Sequence, residues 1–183
     1  QKSGFIKPLF ILLRIFFMLL KPKIKLTKIT DISLSLLKKY GIKALILDVD
    51  NTLSTHHGQV LTDGLEDWLK EMKSAGVGLV ILSNSKEERV KPFAAKIGLD
   101  YISLGLKPLP FRFSEALKKL NFAKRETAIV GDQIFTDTLG GNAYGVKTIL
   151  LDPIKPEASL RFRFKRKLER LVYKIYHIKN TEE

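Results

Sequence analysis

The sequence predicts an α/β fold, a parallel sheet with helices on both faces. Three observations carry that prediction. Short apolar runs alternate with amphipathic segments through the middle of the chain. The runs are apolar at nearly every position, as expected for strands buried front and back. The notable polar residues fall just past the runs, the place where ligands bind in such sheets. A chain of 183 residues suits one ordinary domain with appendages, and 45% hydrophobic against 28% charged residues excludes wholesale disorder.

Each element has its own warrant. Residues 31–40 read as a helix, with a capping-type residue before it and Gly41 after it. Residues 43–47 (KALIL) form a first strand that ends abruptly in acids. Residues 64–75 place Leu65, Trp68, Leu69 and Met72 on one helical face, which makes Trp68 a core residue, and Gly76 is a stop. Residues 77–82 are a second strand. Residues 85–97 are helical in pattern, with a kink or a late start at Pro92. A weak third run covers 99–104. A helix at 111–120, a strand at 127–130, a helix at 137–144 and a strand at 146–151 complete the alternation.

The net charge of +13 sits at the two ends. Residues 1–28 carry seven basic and no acidic residues, and residues 155–183 nine basic and four acidic, while residues 29–154 are nearly balanced at sixteen to fifteen. This divides the chain into an apolar, basic interface segment (1–28), a central domain (29–154) and a basic amphipathic helix with its tail (155–183). Cationic ends point to a polyanionic surface, an anionic bilayer or nucleic acid. Residues 9–20 (LFILLRIFFMLL) cover about 18 Å as a helix against roughly 30 Å of hydrocarbon, too short to span. With Lys2, Lys7, Lys21, Lys23 and Lys25 around it, the run reads as an interfacial anchor, or as a helix docked on the domain or on a partner chain. No small-residue cleavage site precedes Lys21-Pro22-Lys23, which does not fit a cleaved signal peptide, and a start at Gln1 leaves room for an upstream piece. In residues 158–178, Leu160, Phe164, Leu168, Leu171, Val172 and Ile175 mark one helical face, expected either to pack on the core or to meet a membrane surface. The absence of cysteine excludes disulfides, thiolate metal sites and a cysteine nucleophile.

The chemistry lies at the strand ends. Asp48 and Asp50 follow the first strand, and alternate residues of an extended chain point the same way, toward one pocket. Two close carboxylates repel unless a cation or a proton intervenes. Asp132 and Asp137 add acid at a neighbouring strand end, and this all-oxygen set favours a hard cation such as Mg²⁺. Ser83 and Asn84 follow the second strand and Lys107 the third, supplying a hydroxyl and a positive charge. A metal, a lysine and a hydroxyl around a nucleophilic carboxylate make a phosphoryl-transfer site.

These residues resemble the four motifs of the haloacid dehalogenase (HAD) superfamily, a Rossmann-like fold, in order: Asp48-Val49-Asp50-Asn51-Thr52, Ser83-Asn84, Lys107-Pro108, and Gly131-Asp132 with Asp137. The resemblance implies that Asp48 is the nucleophile of an aspartyl-phosphate intermediate and Asp50 the general acid and then base. Ser83, helped by the backbone at Asn84, would bind a phosphoryl oxygen, and Lys107 would neutralise charge. It implies Mg²⁺ at Asp48, the Asp50 carbonyl and Asp132, with Asp137 binding through water or orienting Lys107. Gln133 stands where many relatives carry Asp or Gly. His56 and His57 read as plain loop residues, at best flap or substrate-edge residues, and Thr52 as a turn hydroxyl.

From Asp48 to Ser83 is 35 residues and from Ser83 to Lys107 is 24, too few for an inserted cap domain, so the site is expected to be capless and open. The continuation Thr136-Asp137 and Leu139-Gly140-Gly141-Asn142 resembles the class IIIA-type, YqeG-like branch, which is similar to the mitochondrial phosphatidylglycerophosphate phosphatases. That resemblance implies removal of the terminal phosphate of phosphatidylglycerophosphate by a peripheral enzyme. It would sit on the cytoplasmic side of a membrane, or on the mitochondrial inner-membrane surface if the source is eukaryotic. The partners expected are an anionic membrane and a phospholipid substrate. A soluble phosphomonoester substrate and a non-enzymatic RNA- or ribosome-associated module are the competing readings, and the intact motif set weighs against nucleic acid.

Overall fold

The computed structural model describes residues 6–55, 58–155 and 159–181. His56 and His57 lie outside them. Six parallel strands form one sheet in the order β1 (Ile24–Lys25), β6 (Lys147–Leu150), β5 (Thr127–Gly131), β2 (Ala44–Leu47), β3 (Gly78–Leu82) and β4 (Asp100–Ile102). The chain runs outward from β2 through β3 to β4, then returns to β5 on the other side of β2. This reversal puts the switch point between β2 and β5, where Leu47 pairs with Val130.

The faces follow from the two-residue period of a strand. Leu45 and Leu47 of β2 point into one core with Trp68, Met72 and Phe93, and Ala44 and Ile46 point into the other with Phe113 and Ile129. The first core is roofed by α2 (Leu34–Lys39), α3 (Leu65–Ser74) and α4 (Glu87–Ile97), and the second by α5 (Phe111–Leu120). Trp68 is 4% exposed and donates its indole N–H to the Ile32 carbonyl at 2.9 Å.

Several elements differ from the sequence reading. The helix expected from residue 31 begins at Leu34, because Ser33 takes the cap and accepts from the Leu36 N–H. Pro92 lies inside α4, so there is no late start. The helix expected from residue 137 begins at Leu139 as α6 (Leu139–Tyr144), after a π-helical turn at Ile134–Thr138 that contains Asp137. Strand β1 comes from the basic segment assigned to the membrane interface. Its Lys25 is buried, bonded to the Leu26 carbonyl at 2.6 Å and to Asp152 at 2.7 Å. Thr181 covers the outer side of β1, donating its N–H to the Lys25 carbonyl at 2.7 Å.

Ahead of β1, α1 (Ile6–Leu19) leaves Ile11, Leu12, Ile15, Phe16, Phe17 and Met18 exposed. Its end is tied down by Asn142, which donates to the Leu19 and Lys21 carbonyls at 2.7 and 2.9 Å. Leu20 joins Ile134, Leu150 and Val172 in a small third core, which seats α7 (Leu160–Tyr176). Of the two arrangements expected for α7, most of its apolar face does not pack on the core. Leu160, Phe164, Leu168, Leu171 and Ile175 stay 41–78% exposed, and only Val172 of the apolar face is buried. Among the described residues, no helix is long and apolar enough to cross a membrane.

Candidate active site

Strand register assembles the site. The Asp48 N–H donates to the Val130 carbonyl at 2.9 Å, which sets Asp48 beside the end of β5, where Asp132 follows. The π-helical turn, closed by Asp137 and Thr138 N–H bonds to the Gln133 carbonyl at 3.0 and 3.3 Å, folds Asp137 back onto the same end. Gly131 makes room for this return: a Cβ there would lie 2.3 Å from Asp137 Cγ. Asp48, Asp132 and Asp137 are all buried and offer carboxylate oxygens within 4.8 Å of one another.

Lys107 lies between two of these acids, its Nζ 2.7 Å from both Asp48 Oδ1 and Asp137 Oδ1. Burial works against its charge, but Asp137 and Asp48 more than offset this and raise its pKa above the ordinary lysine value. Burial pushes Asp48 up to about 7, opposed by Lys107 and reinforced by Asp137 and Asp50. Burial also holds Asp132 well above the carboxylate range, against the pull of Arg166. Three packed carboxylates facing one lysine and one arginine form a pocket short of positive charge. Asp132 Oδ1 is buried without a hydrogen bond among the described residues. An all-oxygen donor set with such an oxygen fits a divalent cation held by Asp48, Asp132 and Asp137. The Asp50 side chain is not part of this triad.

Asp50 instead accepts from Ser85 Oγ at 2.7 Å and pairs with Arg89 of α4 at 3.1 Å. Ser83, 1% exposed, stands at the end of β3 with its hydroxyl accepting from the Ser85 N–H at 3.2 Å. The Asn84 side chain has a separate part from the backbone contact expected there. Its Oδ1 accepts from the Lys107 N–H at 2.7 Å and its Nδ2 donates to the Lys107 carbonyl at 3.0 Å. This two-point clamp fixes the loop that delivers the lysine. Asp48, Asp50, Ser83, Asn84 and Lys107 all line one cleft of about 760 Å³. Thr52, 2% exposed, belongs to the turn after the first motif, and its N–H donates to the Val49 carbonyl at 3.2 Å.

The cleft is not as open as its spacing predicts. No domain is inserted, yet Phe162, Phe164, Lys165 and Leu168 of α7 form one of its walls. Arg166 bonds the Asp132 carboxylate, donates to the Asp132 carbonyl at 2.7 Å and pairs with Glu169 at 2.7 Å. Glu169 accepts from the Ile134 N–H at 2.8 Å, and Lys165 bonds Gln133. The basic terminal helix thus buttresses the fourth motif. Sequence reasoning missed Arg89 and Arg166. For Arg89, the one available signal was its place a helical turn beyond Ser85.

A strand-end acid triad at a switch point, with a buried lysine and a serine beside it, defines a class: the phosphoric monoester hydrolases of HAD type. A family model described as haloacid dehalogenase-like hydrolase matches residues 55–145, and one described as mitochondrial PGP phosphatase matches residues 11–98. The probable phosphatase YqeG of Bacillus subtilis is 37% identical over 136 residues, 74% of this chain and 79% of that protein. Phosphatidylglycerophosphate phosphatase 1 of Arabidopsis thaliana is 27% identical over 158 residues, 81% of this chain but 45% of the plant protein. Among solved structures, CbbY of Rhodobacter sphaeroides is similar in fold, with a TM-score of 0.53 at 14% identity over 62% of this chain and 87% of that one. The chain belongs to the haloacid dehalogenase-like hydrolases, in the branch of YqeG and the phosphatidylglycerophosphate phosphatases.

Proposed function

We propose that this phosphatase removes the terminal phosphate of phosphatidylglycerophosphate, leaving phosphatidylglycerol, as a peripheral enzyme at an anionic membrane surface with Mg²⁺ as its ion. The observation that carries the lipid reading is the apolar wall that Phe162, Phe164 and Leu168 bring to the phosphate-binding cleft. A polar sugar phosphate gains little from such a wall, whereas a glycerolipid headgroup arrives with apolar mass behind it. The match of residues 11–98 to the mitochondrial PGP phosphatase model supports the same substrate.

In this reading a carboxylate oxygen of Asp48 attacks phosphorus, an Asp48–phosphorus bond forms, and the bond to the leaving alkoxide breaks. Asp50, on the same cleft, gives that alkoxide a proton and later takes one from the water that cleaves the aspartyl-phosphate, releasing phosphate and restoring Asp48. Lys107 and Ser83 bind phosphoryl oxygens, and Arg89 and Ser85 fix the Asp50 carboxyl. Bound at Asp48, Asp132 and Asp137, the divalent ion supplies charge neutralisation for the phosphoryl group.

The test is a phosphate-release screen of phosphatidylglycerophosphate in vesicles against soluble phosphomonoesters, with Mg²⁺ and with chelator. Turnover is expected to favour the lipid strongly and to need the ion. Equal rates on lipid and soluble substrates would refute the lipid assignment, and full activity in chelator would refute the metal.

A further inference from the structure

We propose that the outward face of α7 is a bilayer-docking surface that lays the mouth of the catalytic cleft against anionic lipid. The proposal deepens the lipid-phosphatase reading and rests on it for its biological sense. Its observations concern α7 alone.

Three stripes run along this helix. Arg166, Glu169, Val172 and Tyr173 face the domain, with Glu169 and Val172 buried. Roughly half a turn away, at 3.6 residues per turn, Leu160, Phe164, Leu168, Leu171 and Ile175 form a continuous apolar line with 41–78% of their surface in solvent. Beside that line run Arg163, Lys167, Arg170 and Lys174, all exposed, along a groove of about 620 Å³. An apolar crest with a cationic flank is the pattern of a helix that lies in the headgroup plane. From Leu160 to Ile175 the crest is about 22 Å long, enough to lie in the surface and too short to cross it.

Two features select the bilayer as occupant. Phe164 and Leu168 belong both to the crest and to the wall of the catalytic cleft, so whatever covers the crest also meets the cleft mouth. The flank is cationic on a chain of net charge +13, so pairing the crest with that of a second copy would bring like-charged rows together, whereas an anionic surface complements them. On the opposite side of the helix, Arg166 and Glu169 hold Asp132 and the π-helical turn. Docking of α7 therefore acts on a helix already bonded to the acid triad.

The experiment uses the full chain and substrate-free vesicles. Co-sedimentation is measured with vesicles of phosphatidylglycerol and of phosphatidylcholine, for wild type and for the double variant Leu171→Glu/Ile175→Glu, both sites lying outside the cleft. The wild type is expected to bind the anionic vesicles preferentially. The double variant is expected to lose about a hundredfold in partitioning while its rate on soluble p-nitrophenyl phosphate stays at the wild-type value. A second variant, Arg170→Ser/Lys174→Ser, is expected to lose about thirtyfold, and it decides the matter if the first does not fold. Unchanged partitioning in a folded variant would overturn the proposal, even if α1 keeps the chain on the membrane. So would a wild type that ignores anionic vesicles, or one that is a dimer split by the double variant. Vesicle binding without turnover of phosphatidylglycerophosphate would sink the substrate assignment and leave docking standing. Turnover in detergent micelles without vesicle binding would do the reverse.

Discussion

Replacing Asp48 by Asn should abolish turnover and at the same time stabilise the metal-free fold. Burial raises the Asp48 pKa from an ordinary 3.8 to about 7. A carboxyl whose pKa is higher in the fold than in the unfolded chain binds its proton more tightly when folded. Its stabilising contribution is fully present below 3.8 and is lost as the pH rises through about 7. At 1.36 kcal/mol per pH unit, the separation corresponds to about 4 kcal/mol once Asp48 is ionised, of which roughly 2–3 accumulate between about pH 5 and pH 8. Asn keeps the shape and an oxygen for Lys107 but carries no charge. Urea unfolding of the chelator-treated proteins at both pH values measures the difference. The advantage of Asp48→Asn over wild type should grow by roughly 2–3 kcal/mol from the lower pH to the higher, and Mg²⁺ should stabilise the wild type more than the variant. A variant less stable than wild type at pH 8, or one whose advantage does not grow with pH, would refute the reasoning. Retained turnover would refute the nucleophile assignment.

Lys107→Met leaves Asp48 and Asp137 facing each other in a buried pocket, and should cost the metal-free fold about 3–5 kcal/mol in the same unfolding assay as well as all turnover. Gly131→Ala drives a methyl into Asp137, so titration of the melting temperature with Mg²⁺ should show metal affinity lowered at least tenfold, by about 1.4 kcal/mol or more. Arg166→Ala removes the cation that pairs with both Asp132 and Glu169. It should cost about 3 kcal/mol near neutral pH, a loss that a melt with and without Mg²⁺ would show to be partly recovered by the ion.

The four motifs were legible because each follows a strand, buried for β2 and β5 and weaker for β4, and strand ends in a parallel sheet converge. Local pattern placed β2, β3, β5 and α5 to within a residue or so. What escaped depends on contacts between distant parts of the chain. Strand β1 is two residues long in a lysine-rich stretch, and its pairing with β6 and Thr181 has no local signature. Periodicity found the apolar line of α7 but could not say which side would meet the domain. The side that does carries Arg166 and Glu169, polar groups that become good packing partners only because Asp132 and the Ile134 N–H are there to receive them. The pairing of Arg89 with Asp50 joins residues 39 apart in the chain, beyond the reach of any local pattern. Likewise, no propensity marks Asn84 as a clamp, since its bonds reach 23 residues along the chain.

The sheet ends in strands of two residues on one side and three on the other, and Thr181 occupies the backbone groups of the shorter one. Such margins offer little template for adding a strand from another molecule, so edge-to-edge strand pairing between folded copies is disfavoured. Any clumping of this protein at high concentration should therefore proceed through the greasy sides of α1 and α7, and mild detergent or lipid should disperse it where conditions aimed at β-aggregates would not.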